Sequence, residues 1–313
     1  MKILILDRDA DRYRDHLQPQ IREQAVYCQD PAAAEPGCCD VLLARPDWAA
    51  NYLDSCIGYS KPVPLWIQST WAGVTPLVAM TRTTGTALTG IKGIFGPMIA
   101  EYVMSHILAD SQQHIAFRAS QLQHQWRPAQ PAGLAGRKMV ILGTGSIGSH
   151  LAAVASTGFG MSVQGISRQG LEAPGFSRVV PVSRANLVIH DADYLVLALP
   201  DTAATRGIVN AGFLGQLPGQ SMVINVGGGS TLVDADLLAA IDHGKVRCAV
   251  LDVFNQEPLP ANHPFWDNDA ITITPHIAAI SYPEDISRIF LENLSRFRAG
   301  ERLNFLIDSA SGY

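Results

Sequence analysis

Short, unbroken apolar runs alternate along this chain with longer stretches in which apolar residues recur at helical spacing. Lys2 to Leu6, Val41 to Ala44 and Leu65 to Ile67 read as buried parallel strands separated by polar helical stretches. Pro97 then precedes Met98 to Gln125, where Ile99, Tyr102, Val103, His106, Ile107 and Phe117 keep helical spacing. The pattern predicts one long helix leaving the first domain, ended by the Pro-, Ala- and Gly-rich segment Arg127 to Gly136. A second alternating run follows, with strands at Met139 to Leu142, Met161 to Ile166, Tyr194 to Leu199, Met222 to Val226, Val246 to Val253 and Ile271 to Thr274. No tandem repeat or low-complexity tract interrupts it.

The length of 313 residues fits two cores rather than one. The expected division is a domain of residues 1–98 and 282–313, interrupted by a second of residues 99–281. A net charge of -5 gives no electrostatic reason to bind nucleic acid or an acidic membrane, and no segment approaches a bilayer span free of Gly, Pro and charge. The apolar run at the N-terminus is too short for a signal-peptide core and meets Asp7, Arg8 and Asp9 at once. The five cysteines are odd in number and lack metal-ligand spacing, which predicts free thiols in a reducing cytoplasm and no metal site.

The most specific local signal is KMVILGTGSIGSHLAAVAS. Gly143, Gly145 and Gly148 stand in G-x-G-x-x-G spacing directly after an apolar strand and before a helical run. The first glycine permits a tight turn, the second lets a pyrophosphate approach the backbone, and the third lets helix and strand pack closely. Thr144, Ser146 and Ile147 complete the loop, and the helix N-terminus offers N–H groups to an anion. The next strand ends at Ser167 and Arg168, where an NAD-preferring fold would present an acid to the ribose 2′-hydroxyl. Arg168 suits a 2′-phosphate instead, so NADP(H) is the expected cofactor and NAD the weaker alternative; a solvated surface arginine is the plainer reading.

Further on, ALPDTAATRGIVN, VINVGGGS, LDVFNQEPLP and ITPHIAA occur in that order. Together with STWAGV at Ser69, this wording resembles the D-2-hydroxyacid dehydrogenase family, and most closely its glyoxylate/hydroxypyruvate reductase A-like branch. The resemblance runs from Ser69 almost to the C-terminus, while the first sixty or so residues match loosely. It implies two doubly wound parallel-sheet domains, a Rossmann cofactor domain inserted into a flavodoxin-like substrate domain, with the active site in the cleft. It also implies a homodimer to which the long helix contributes.

By that resemblance His276 is the general acid and base, and Glu257 fixes its tautomer and raises its pKa. Asp252 lies near the nicotinamide carboxamide. Leu199, Pro200, Thr205 and the backbone of Val226, Gly227 and Gly228 line the cofactor, while Trp71, Ala72 and Gly73 meet the substrate carboxylate. Thr75 stands where the family has an aspartate. Each has a blander alternative: a satisfied structural histidine, a surface acid for Glu257, a turn cap for Asp252, packing for Trp71.

One position departs sharply. The family's substrate-binding arginine falls at Gly228, which can neither neutralise a carboxylate nor polarise a carbonyl. Loss of such a group typically costs about 10² to 10³ in turnover, so restoring arginine at 228 is expected to recover about 10². Three explanations are open: a substituted variant of an active parent, a replacement cation, or a non-catalytic NADP(H)-binding sensor or interaction protein on the same fold. Arg45, at the end of the strand VLLA, is the better replacement candidate and Lys92 the poorer, although a solvated surface role for Arg45 is the default. The expected reaction is NADPH-dependent reduction of a small 2-oxo acid, of the glyoxylate or hydroxypyruvate kind, to a D-2-hydroxy acid.

Overall fold

The structure, a computed structural model, describes residues 1–308. The chain divides into two compact units, one of Met1–Ile94 with the chain from Ser281 onward, the other of Phe95–Ile280.

The first unit is built on strands β1 (Lys2–Leu6), β2 (Gln24–Cys28), β3 (Val41–Ala44), β4 (Trp66–Ser69) and β5 (Ala87–Thr89). All neighbours are parallel, in the order β2-β1-β3-β4-β5. Its interior strands are buried almost throughout, β1 and β3 as apolar runs and β4 with buried Gln68 and Ser69 at its end, because helices cover both faces and remove the alternation of a half-solvated sheet. Leu4, Leu42, Leu53, Ile67 and Leu77 fill the core, each fully buried aliphatic side chain contributing about 1.5–3 kcal/mol. The helix Pro283–Ala299 returns to this sheet: Phe290 stacks on Trp66 at 5.2 Å between centroids, and buried Asn293 donates to Gln68 Oε1 at 3.1 Å. Pro283 opens that helix, and Gly300, at φ +69°, supplies the left-handed residue that closes it.

The second unit carries seven parallel strands: β6 (Lys138–Leu142), β7 (Ser162–Ser167), β8 (Arg178–Pro181), β9 (Tyr194–Leu197), β10 (Ser221–Asn225), β11 (Val246–Leu251) and β12 (Ile271–Ile273). Their order is β12-β11-β10-β9-β6-β7-β8, so the direction of winding reverses between β6 and β9. Ligands of open α/β sheets gather beyond the carboxyl ends of the strands at such a reversal.

Two differences from the sequence reading have physical causes. The predicted helix Met98 to Gln125 is two helices, Gly96–Ser111 and His114–Leu122, broken where Gln113 takes φ +55°. Ile99, Val103 and Ile107 bury one face of the first helix, whereas the second buries no residue, so no shared core enforces continuity through Gln112 and Gln113. Strands β2, β5 and β8 were not predicted: all three are sheet edges of mixed polar and apolar residues or only a few residues, whereas the edge strand β12 keeps Ile271 and Ile273 and was predicted.

Candidate functional site

The glycine turn after β6 combines close packing with open space. Gly143 has φ +114°, and a Cβ there would lie 2.6 Å from the carbonyl oxygen of Ala198, so only glycine lets β6 and the end of β9 approach this closely. A Cβ on Gly148 would meet the Gly143 oxygen at 2.0 Å, which explains the third glycine as a helix–strand contact. Gly145 has nothing within 4 Å of its Cβ position, and Gly145 and Ser146 are exposed. Open backbone at the head of the helix Ser146–Ala153 fits a dinucleotide pyrophosphate. Thr144 and Ile147 are half-buried beside it. Ser167, at the end of β7, accepts from the Gly170 N–H at 3.0 Å, and Arg168 follows it, exposed and with no acid alongside in sequence.

The neighbouring turns are closed by their own hydrogen bonds. After Leu199, the Thr205 hydroxyl donates to the Pro200 carbonyl at 2.6 Å and accepts from the Thr202 N–H at 2.9 Å. After β10, Val226 donates to the Leu197 carbonyl and Gly228 to the Leu199 carbonyl, at 3.0 and 2.7 Å. The Gly228 carbonyl accepts from the Thr231 hydroxyl at 2.6 Å. A Cβ on Gly227 would sit 2.4 Å from the Leu199 oxygen, and one on Gly229 2.1 Å from the Phe254 carbonyl.

Gly228 is closed in the same way. Its backbone is ordinary, φ -90° and ψ 132°, but a Cβ would fall 2.7 Å from the Asp201 nitrogen and 2.8 Å from its Cα and Cβ. The obstacle is backbone, so the sequence-based expectation that arginine could simply be restored at 228 is corrected: the turn has no room for its first carbon. Asp201 also accepts from the Ser230 hydroxyl at 2.5 Å and lies 3.8 Å from Arg206, which puts a carboxylate beside the position where the resemblance expects a cation.

The histidine and its carboxylate come together across the carboxyl ends of β11 and β12. His276 Nδ1 donates to Glu257 Oε2 at 2.8 Å, and Glu257 Oε1 accepts from the Phe254 N–H at 2.9 Å. The bond to Glu257 raises the imidazole pKa above the ordinary histidine value, against burial, which alone would lower it. Burial pushes the Glu257 carboxyl up, but the bonds from His276 and Phe254 outweigh it and leave the group below the usual glutamate range. His276 adopts φ +56°, a left-handed conformation held by its N–H bond to the Asp252 carbonyl at 2.9 Å.

Asp252 is 1% exposed, and its carboxylate is occupied by this same turn. Oδ1 accepts from the Thr274 hydroxyl at 2.6 Å and the Ile277 N–H at 2.8 Å; Oδ2 accepts from the Ala278 N–H at 2.9 Å. Tyr102, on the helix Gly96–Ser111, bonds Thr274 Oγ1 at 2.6 Å. The aspartate therefore fixes the segment that carries His276. Asp201, Phe254, Thr274 and Tyr102 were not among the expected site residues. The first three fall within or beside quoted motifs, where the signal was available, while Tyr102 gave only a helical position.

In the first unit, Trp71, Ala72 and Gly73 form an exposed turn after β4, closed by Ser69, whose hydroxyl accepts from the Trp71 N–H at 3.0 Å and donates to its carbonyl at 2.7 Å. Thr75 begins the next helix. Arg45, immediately after β3, lies with its guanidinium 4.6 Å from the Trp71 ring centroid and 5.4 Å from that of Trp48. Lys92 is exposed on the loop after β5.

Residues 104–278 match the family model described as "D-isomer specific 2-hydroxyacid dehydrogenase, NAD binding domain". The chain is 34% identical over 213 residues, 68% of each chain, to glyoxylate/hydroxypyruvate reductase A of Yersinia enterocolitica. A crystal structure of a D-isomer specific 2-hydroxyacid dehydrogenase family protein from Aeromonas salmonicida superposes with a TM-score of 0.91 at 36% identity, covering 98% of this chain and 99% of that one. The NADPH-dependent glyoxylate/hydroxypyruvate reductase of Sinorhizobium meliloti, solved with NADP and sulfate, superposes at 0.87 with 26% identity over the whole of both chains. Among the described residues no helix is long and apolar enough to cross a membrane. The chain belongs to the D-isomer specific 2-hydroxyacid dehydrogenase family, a class of NAD(P)-dependent oxidoreductases.

Proposed function

We propose that the protein is an NADPH-dependent reductase of small 2-oxo acids of the glyoxylate or hydroxypyruvate type, forming D-2-hydroxy acids. The observation that carries this reading is the His276–Glu257 pair at 2.8 Å, with the imidazole pKa raised, because a module that only bound cofactor would have no use for a held imidazolium. Gly143 to Gly148 would hold the pyrophosphate, with Thr144, Ser146 and Ile147 around it and Arg168 with Ser167 taking the 2′-phosphate. Leu199, Pro200, Thr205 and the backbone from Val226 to Gly228 would line the remainder. A reduced nicotinamide bound there would supply the hydride for the carbonyl carbon. His276, as imidazolium, gives the Nε2 proton to the carbonyl oxygen, which becomes the hydroxyl, while Glu257 holds Nδ1 and stabilises the charged ring. Asp252 keeps His276 at its position through Thr274, Ile277 and Ala278. Trp71, Ala72 and Gly73 meet the substrate carboxylate.

A homodimer is part of the proposal. Ile115, Leu122 and Trp126 are exposed on and just after the helix His114–Leu122, an apolar set that a second copy would cover. The five free thiols suit a reducing cytoplasm.

The second reading, a non-catalytic NADP(H)-binding sensor or interaction protein, draws on one observation, the absence of a cation at Gly228. Loss of NADPH absorbance with a panel of 2-oxo acids separates the two. Turnover of glyoxylate or hydroxypyruvate, lost in His276→Ala, is the expected result; tight NADPH binding with no turnover of any 2-oxo acid defeats the reductase reading. NADPH is expected to bind more tightly than NADH, and equal affinities that persist in Arg168→Ala would remove Arg168 from cofactor selection.

A further inference from the structure

If the protein reduces 2-oxo acids, a positive group must meet the substrate's carboxylate, and Gly228 cannot supply it. The backbone of Asp201 fills the space where a side chain at 228 would begin, and the Asp201 side chain lies beside it. Under that reading another residue supplies the cation.

The first unit has its own winding reversal, between β1 and β3, so a crevice is expected beyond the carboxyl ends of the strands there. Asp7 follows β1, Arg45 follows β3, and Thr70 and Trp71 follow β4. Asp7 is turned inward: it is buried, accepts from the Thr70 hydroxyl at 3.1 Å, and burial raises its pKa. Arg45 is the cation of this group. Its Nε donates to Asp47 Oδ1 at 2.9 Å and its Nη2 to Asp47 Oδ2 at 3.2 Å, a fork that fixes the plane of the guanidinium. The rings of Trp71 and Trp48 lie at stacking distance, and the side chain is only 15% exposed. Nη1 makes no hydrogen bond to any described residue. A surface arginine in free solvent would be neither gripped on one edge nor stacked on two indoles. A held guanidinium with one end unspent, touching the Trp71 turn, is a built receptor for a carboxylate, and because it is already ordered it loses little rotamer freedom on binding.

We infer that Arg45, held at the end of β3 by Asp47 and Trp71, is the carboxylate anchor of this reductase. The inference rests on the reductase reading, and its test separates the two. The full chain and its Arg45→Gln and Arg45→Lys variants are assayed with NADPH and two substrates that share an aldehyde carbonyl, glyoxylate with a carboxylate and glycolaldehyde without one. Binding of oxamate, an unreactive 2-oxo acid isostere, to the NADPH-loaded protein is measured alongside. Arg45→Gln should raise KM for glyoxylate about tenfold to a hundredfold and weaken oxamate similarly, the range for losing a charge-assisted contact. It should leave glycolaldehyde turnover and the Kd for NADPH unchanged, and Arg45→Lys should fall between. Equal losses on both aldehydes would make Arg45 a structural residue and overturn the inference, as would an unaltered KM for glyoxylate. An unsubstituted chain that neither turns over glyoxylate nor binds oxamate would defeat the reductase reading and Arg45 with it.

Discussion

Two glycine-rich turns in the second unit follow buried parallel strands and look alike in sequence, yet they do opposite things. After β6, Gly143 and Gly148 pack against the protein while Gly145 between them faces empty space. After β10, Gly227, Gly228 and Gly229 are all filled, each Cβ position lying within 2.7 Å of backbone from Leu199, Asp201 or Phe254. The first turn leaves its middle glycine facing open space, where the proposed cofactor would come close. The second uses glycine to let distant backbone segments touch, and one of those contacts reaches the proposed catalytic pair: Gly229 packs on Phe254, whose N–H holds Glu257, which holds His276.

The largest effect is expected at Gly229. A methyl there, 2.1 Å from the Phe254 carbonyl, must displace the backbone that positions Glu257, and misplacement of this order costs about 10² in kcat. Gly229→Ala should therefore lose turnover and stability together while still binding NADPH. Retained kcat would mean that Phe254 does not transmit the contact.

Gly228→Arg comes next. Overpacking against backbone typically costs about 1–3 kcal/mol, so the variant should melt at a lower temperature and gain no activity. Rescue of glyoxylate reduction by that single change would show that the turn can open, and would return the substrate cation to position 228.

Glu257→Gln sharpens the link between the closed turn and the histidine. The imidazole pKa is raised chiefly by the bond to Glu257, so imidazolium persists to higher pH in the native protein than in the variant. For reduction the charged ring is the proton donor, so the alkaline limb of the kcat profile should move to lower pH, with kcat down by about tenfold or more from lost orientation. An unmoved profile would remove Glu257 from proton transfer.

The smallest effect on the protein itself should come from Gly145→Ala. Its Cβ enters open space, so thermal stability should stay within about 0.5 kcal/mol of the native value, the usual range for a surface change. NADPH affinity should fall, since the methyl would stand where the pyrophosphate approaches. Unchanged affinity would mean that the cofactor does not come close to this turn.

The interior strands, the G-x-G-x-x-G turn and the pairing of His276 with Glu257 were legible because each is written in local wording: buried parallel strands as continuous apolar runs, the phosphate turn as fixed glycine spacing, the pair as family motifs. Edge strands β2, β5 and β8 were not, since half of such a strand's surroundings is solvent and its residues carry no strong apolar signature. Nor was the break at Gln113, where helical spacing continues in sequence while burial does not. Asp252, expected near the nicotinamide, also has its carboxylate engaged by Thr274, Ile277 and Ala278, donors that only the fold brings to it.

The sequence by itself determined that two parallel sheets would form, where the G-x-G-x-x-G turn lies, and that position 228 lacks a side chain. Tertiary structure decided what that lack means. A glycine states only that no Cβ is present; whether the vacated space admits a ligand or a piece of backbone depends on segments far away in the chain, here Asp201 at 228 and nothing at 145. The same holds for Arg45, a surface arginine by composition, which Asp47, Trp48 and Trp71 turn into a held cation because β3 and β4 lie side by side in the sheet.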